Sequence, residues 1–288
     1  MNFLDLKLDK NSRLTAQQLD SYREIYNDIH FESIFEPIQI REVINNKMTV
    51  ILTCVDDIRA WQKEIGYSCL VKMKYLEESI IKLIDSSDLY SSAILVRQHM
   101  ELCGLLALSL EVLNKSLKEN NYEDLNRFVS KTWFGTPFNN NSKLKDGFLA
   151  FMGTETVTIS SMIKALDNFI HAHKEEGEEI EPNLYVHNYA CLCQIVHPSA
   201  ISSSFFNDAS KVDEGHIVNF KWEPDFTDKA IPTVLKILSQ NLLIGLASYF
   251  VFMAHIFLDD GSVICDDEKL EYSFYNVLHR FNKNVKRE

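Results

Sequence analysis

The chain is poor in the residues that punctuate turns, with nine glycines and six prolines in 288 positions. That disfavours a sheet protein built on many tight turns and favours long helices. A positive balance is missing as well. Against 41 Asp and Glu stand 29 Lys and Arg, a formal net charge of −12 with a pI near 5.2. This argues against a broad basic surface for nucleic acid but leaves room for a local basic pocket. No C-x-x-C pair joins the six cysteines, Cys54, Cys69, Cys103, Cys191, Cys193 and Cys265. Several lie among apolar residues in helical stretches, so they read as buried thiols of a reducing compartment rather than a disulfide framework. The opening residues, Met1 to Lys7, lack the long apolar run of a signal peptide, and a cytoplasmic location is expected. Absent too are G-x-S-x-G, the Walker loop, the dinucleotide fingerprint, internal repeats and low-complexity runs.

Hydrophobic residues make up 46% of the chain, ample for a sizeable core. The expected fold is all-α: a multi-helix bundle of long, largely buried helices with a small extended or β insertion near 203–222. N-terminal helices over 1–64 are expected to pack on a main domain over 65–288, as one continuous fold. Thr15 to Gln18 opens a first helix, with Leu19, Tyr22, Ile25, Tyr26 and Ile29 at helical spacing. Pro37 suits the first turn of a second, running towards Ile65 and ended by Gly66. A third covers Cys69 to Ile84. Tyr122 to Trp133 is a short amphipathic piece ending at Gly135, before a polar loop through Ser142. Thr156 to His173 and the stretch from Pro182 to Val196 are further helices, joined by the acidic run 174–179. His216, Val218, Phe220 and Trp222 alternate with Ile217, Asn219 and Lys221, as in a short strand or hairpin arm. A long helix over Thr227 to Leu258 and a last one holding Leu270 to Phe281 complete the chain. The uncharged segment Ile237 to Leu258 is long enough to span a bilayer. Its Ser239, Gln240, Asn241, Ser248 and His255 favour a core or interface helix, and no membrane partner is expected.

The organising stretch is Ser86 to Asn120. It is apolar on nearly every side, as in a helix buried among others, with Ser86, Ser87 and Asp88 as N-terminal caps. Tyr90, Ala93, Arg97, Glu101, Gly104 and Leu108 share one face, and Leu95, His99, Leu102 and Leu106 the opposite one. Arg97 and Glu101, four apart, can pair. Small residues at Ala93 and Gly104 let a neighbouring backbone approach. If buried, the pair needs further polar partners from another helix. Two readings stand open: a structural ion pair that fixes register, and a site for an anion.

A second polar concentration runs from Asn183 to Ser199. Val186, Ala190, Cys193 and His197 share a face. Pro198 disfavours the helical conformation for His197 and ends the helix there. At a helix C-terminus an imidazolium is favoured, and it can bind an anion or offer a proton. It can equally cap carbonyls. His187 with Cys191 and Cys193 with His197 are i, i+4 pairs. Two such residues are too few for a zinc site, so neither a metal nor another cofactor is expected. Cys193 lacks the electropositive setting of a nucleophile.

Ala93-Ile94-Leu95-Val96-Arg97-x-x-x-Glu101, followed by Tyr189 and by His197-Pro198-Ser199, resembles a family of uncharacterised prokaryotic helical proteins. That family is marked by an R-x-x-x-E helix and a later helix ending in H-[PG]-S. The resemblance covers roughly residues 65–260 and looks akin to the HEPN superfamily (higher eukaryotes and prokaryotes nucleotide-binding). Many of its members cut RNA without metal, often in toxin or antiphage systems. The Arg-x4–6-His pattern of its nucleases is matched here only by Arg23 to His30, outside the resembling stretch.

Two functions follow as expectations. In one, Arg97 binds a phosphate of a nucleotide or RNA and Glu101 orients it. His197 is then the general acid or base, and Tyr189, His187 and Ser199 line the ligand site. In the other, Arg97, Glu101 and His197 form a closed structural network in a non-catalytic helical scaffold that pairs with a second copy of the chain. Both require residues a hundred positions apart to meet.

Overall fold

The computed structural model describes residues 41–44, 47–86, 88–135, 156–173, 179–212 and 215–220, with isolated positions between 234 and 252. The expected first and last helices, Arg23 with His30, the polar loop after Gly135 and most of the acidic run lie outside the described residues.

The described chain is dominated by helices. A small antiparallel hairpin comes first, β1 (Arg41–Ile44) and β2 (Lys47–Val50), with Arg41 opposite Val50 and Ile44 opposite Lys47. Helix α1 spans Val55–Asp85 and α2 spans Leu89–Glu119, 31 residues each. Helices α3 (Glu123–Phe134), α4 (Ile159–His173), α5 (Leu184–Val196) and the short α6 (Ala200–Ser204) follow. A second hairpin pairs β3 (Asn207–Val212) with β4 (Gly215–Phe220), Asn207 opposite Phe220. Within the stretch expected as a long helix from Thr227, the described positions Val234, Lys236, Ile237, Gln240, Asn241, Ser248 and Phe252 are helical.

The region before Ile65 departs from the sequence expectation. Residues 41–44 and 47–50 pair as antiparallel strands rather than continuing a helix begun at Pro37. β-branched Val43, Ile44, Thr49 and Val50 favour extended backbone, and Asn45-Asn46 between them is turn chemistry. The helix starts only at Val55, where the Asp57 carboxylate accepts from the backbone of Thr53 and Cys54. Those bonds, the Thr53 backbone foremost, hold Asp57 below the usual carboxylate range. Gly66 does not end the helix, and the division placed at 64/65 falls inside unbroken α1. A single helical glycine costs about 1 kcal/mol. Ile58, Trp61, Ile65, Cys69, Leu70 and Met73 continue the apolar period across it, all buried, and their burial outweighs that cost.

Helix α2 is the centre of the bundle, packed against α1, α3, α4 and α5. Asp88 caps its start by accepting from Ser91 N at 3.0 Å, and Asn120, at φ 48°, ends it in the left-handed conformation. Ala93, Val96, Met100, Cys103, Leu106, Leu110 and Leu113 of α2 are all core residues. Length and composition alone would let this helix cross a membrane; here it is wrapped by its neighbours. Gly104 meets the expectation of close approach. A Cβ built there would lie 2.7 Å from the carbonyl oxygen of Met162 on α4.

Candidate functional site

The site lies between α2 and the C-terminal end of α5. Tyr185, Leu192 and Ile195 bury one face of α5, which turns Tyr189 towards α2. At the helix end Pro198 has the expected effect: His197 is extended, at φ −78° and ψ 153°, so its ring leaves the helix line. Tyr90, two turns before Arg97 on the same face of α2, fixes this exit. Its hydroxyl donates to the carbonyl of Val196 at 3.3 Å, and its ring meets Phe206 edge-on at 5.1 Å. The sequence placed Tyr90 on the right face without assigning it this role.

Arg97, Glu101, Tyr189 and His197 come together. Arg97 Nε donates to the Tyr189 hydroxyl at 3.0 Å and lies 3.4 Å from Glu101 Oε1. Tyr189 in turn donates to Glu101 Oε1 at 2.7 Å. The phenol therefore accepts from the cation and donates to the anion. Burial, then the Glu101 bond, pushes its pKa above the ordinary value despite Arg97, which keeps it a neutral donor. Arg97 is likewise held above its ordinary value. Burial works against the charge, but Tyr189, Cys193 and Glu101 outweigh it.

Arg97 Nη1 lies 3.3 Å from His197 Nε2. A guanidinium only donates, so Nε2 is the acceptor in this pair and the ring proton sits on Nδ1. In this arrangement Nδ1 is the donor the ring has to offer. The contact also commits the lone pair that a general base would need. Two groups remain unengaged by any described residue: Arg97 Nη2 and His197 Nδ1. The Arg97 side chain keeps 20% of its accessible surface and His197 is exposed, so the pair lies at the protein surface.

Two expected ligand residues are placed otherwise. The Ser199 hydroxyl accepts from Ser202 N at 3.1 Å, capping α6, and donates to the Gln194 carbonyl at 2.7 Å. Its one donor, the group an anion would need, is spent on the turn. His187 sits two positions from Tyr189, about 200° around the helix, exposed, with Nδ1 3.7 Å from Glu181 Oε1. It makes no hydrogen bond or ion pair with Arg97. Among the described residues no group of three His, Cys, Asp or Glu is placed to hold a metal.

A second polar cluster was not anticipated. On the opposite side of α2, fully buried His99 puts Nε2 2.6 Å from Glu77 Oε1 of α1 and Nδ1 2.7 Å from the Asn241 amide nitrogen. Cys103 Sγ lies 3.5 Å from the same Nδ1. The sequence carried a signal for each: Glu77 inside the apolar stripe Met73–Ile80, His99 between Leu95 and Leu102, Asn241 in an uncharged run. It carried none for their pairing. No family model, curated protein or solved structure matches the chain.

Proposed function

We propose that Arg97, with His197 beside it, binds a phosphate group carried by a nucleotide or an RNA. The observation that carries this reading is the pair of unengaged donors. Arg97 Nη2 and His197 Nδ1–H sit on neighbouring groups at the protein surface, while Tyr189 and Glu101 hold the guanidinium from behind. The guanidinium keeps its charge and both N–H groups of Nη2 for a phosphate oxygen, a charge-assisted bond stronger than a neutral one. The resemblance to HEPN-like proteins supplies the nucleotide or RNA as bearer of that phosphate, and a prokaryotic toxin or antiphage setting as its context. Metal-independent RNA cleavage is the further step on this line. It would require His197 to part from Arg97, since Nε2 is otherwise taken.

The test is titration of the full chain with a nucleoside triphosphate and with a labelled single-stranded RNA. Binding should fall at least tenfold in Arg97→Ala while the unfolding transition persists. One or two phosphate contacts on single strands give a log–log salt slope of about −0.7 to −1.4. A steep slope near −5 would mean a broad surface elsewhere and sink the reading.

A second reading is favoured by how much of the cluster is already used. Glu101 compensates the guanidinium, Nε and Nη1 are both engaged, and Ser199 is a cap. On this reading the cluster is a clamp that fixes α5 on α2 in a non-catalytic scaffold, with a second copy of the chain as partner. Arg97→Ala and Tyr189→Phe would then lower stability, and neither ligand would bind the wild type.

A further inference from the structure

We propose that His99 is carried as an imidazolium inside the bundle, donating to Glu77 through Nε2 and to the side-chain oxygen of Asn241 through Nδ1. This charge then ties Asn241 to α1 and α2 as a lock that alkali opens. Three observations support it. His99 has no exposed surface and Glu77 is 3% exposed, so the ring and the carboxylate meet at 2.6 Å where water screens them little. Each ring nitrogen faces a different element, α1 through Glu77 and the later segment through Asn241. The Asn241 side-chain oxygen, buried, has no hydrogen-bond partner among the described residues. Turning that amide by 180° exchanges its nitrogen and oxygen and gives the oxygen the Nδ1 proton to accept.

The two protonation states thus correspond to two amide orientations. With the ring charged, Nδ1–H donates to the Asn241 oxygen. When hydroxide removes that proton to form water, bare Nδ1 accepts from the Asn241 nitrogen instead. The carboxylate of Glu77 then faces a neutral ring. Among the described residues, the other titratable groups near His99 and Cys103 are Cys69 of α1 and Tyr185 of α5 with Asp167 of α4 behind it; the run 237–258 contains no Asp, Glu, Lys or Arg. Burial opposes the charge on His99, but Cys103 and Glu77 outweigh it and hold the group up at about 10.

Linkage gives the sign. A folded pKa raised above the ordinary 6.5 stabilises fully below 6.5, and that stability is lost as pH rises towards 10. One extra proton held by the folded state makes the unfolding constant rise about tenfold per pH unit, hence about thirtyfold from pH 7 to 8.5. Denaturant unfolding of the full chain at these two pH values should show that rise, and His99→Gln, neutral at both, should lack it. A wild type with a flat profile, or a variant with the same rise, overturns the proposal. Should the variant fail to fold, nitrogen-15 spectra of wild type at pH 8 decide. A ring protonated on both nitrogens, assigned by its proximity to Cys103 and Asn241, is expected. A ring protonated on Nε2 alone refutes the lock.

Discussion

Gly104→Ala should destabilise the protein even though alanine is the better helix former. In an unhindered helix the change stabilises by about 1 kcal/mol. At Gly104 the added Cβ would stand 2.7 Å from Met162 O, 2.8 Å from Met162 C and 3.1 Å from Met162 Cβ. Two of these three atoms are backbone inside α4 and cannot rotate away, so α2 and α4 must separate by several tenths of an ångström. Separation loosens α2 against Ile163 and Leu166, the buried neighbours of Met162 on α4. Overpacking a close-packed interior costs about 1–3 kcal/mol. Two backbone contacts below 3.0 Å put Gly104 in the upper half of that range, so after the propensity gain the net loss is about 1–2 kcal/mol. A change of 1 kcal/mol moves the midpoint of a domain of about 150–250 residues by about 2–4 °C, so a fall of about 2–8 °C is expected. Calorimetry or thermal circular dichroism reads it, with Gly104→Val expected to fall further. An alanine variant as stable as wild type, or more stable, would show that α4 does not sit on Gly104, and the reason given for a glycine there would be wrong.

Other consequences can be checked as simply. The Asn126 side chain accepts from Leu52 N at 2.8 Å and donates to Leu52 O at 3.3 Å, tying the start of α1 to α3; Asn126→Ala should cost about 1–3 kcal/mol in urea unfolding by leaving both backbone groups unpaired, and an unchanged midpoint would refute the tie. In the native state iodoacetamide should modify exposed Cys54 and spare Cys69, whose thiol burial pushes up to about 12; mass spectrometry that finds Cys69 modified as fast would show α1 is not packed as described. Tyr90→Phe should leave the fold intact, through retained contact with Phe206, yet weaken phosphate binding several-fold by freeing the His197 turn; unchanged binding would remove Tyr90 from the site.

Where single residues decide a local event, the sequence was readable. Asp88 starts α2, Pro198 ends α5 and Gly135 follows α3 because each acts on its own turn of backbone. Gly66 misled because its local cost is small beside the burial on either side of it. Residues 41–50 misled because Pro37 offered a helix start, while the Val, Ile and Thr content around Asn45-Asn46 spoke for extended chain. The site was legible to the extent that helical spacing fixes faces: Arg97 with Glu101, and Tyr189 near the turn at His197. Spacing does not say which face meets which, nor whether a hydroxyl is already spent. Ser199 looked available in the sequence and is committed to its cap; His187 looked close to Tyr189 and lies around the helix from it.

The two polar clusters explain how a helix apolar all round acquires particular neighbours. Apolar faces tolerate sliding, because one buried leucine replaces another at modest cost. Arg97 and Glu101 on one side of α2 meet Tyr189 and His197, and His99 on the other meets Glu77 and Asn241, in one register only; a slip of one turn would break these contacts and part buried His99 from Glu77. If that is their structural use, removing a whole cluster should differ from breaking it. Glu77→Gln and His99→Leu singly should each lower the unfolding midpoint, since each removes the charged partner from the buried 2.6 Å contact between α1 and α2. Glu77→Leu with His99→Leu strands no charge, so it should unfold at a higher denaturant concentration than either single variant. What it should lose is uniqueness: fewer dispersed amide signals and weaker near-ultraviolet dichroism, with helix content kept. A double variant as unstable as the sum of the singles would mean that the cluster contributes net binding energy between α1 and α2. A double variant with a fully dispersed spectrum would mean that the apolar packing alone selects the register.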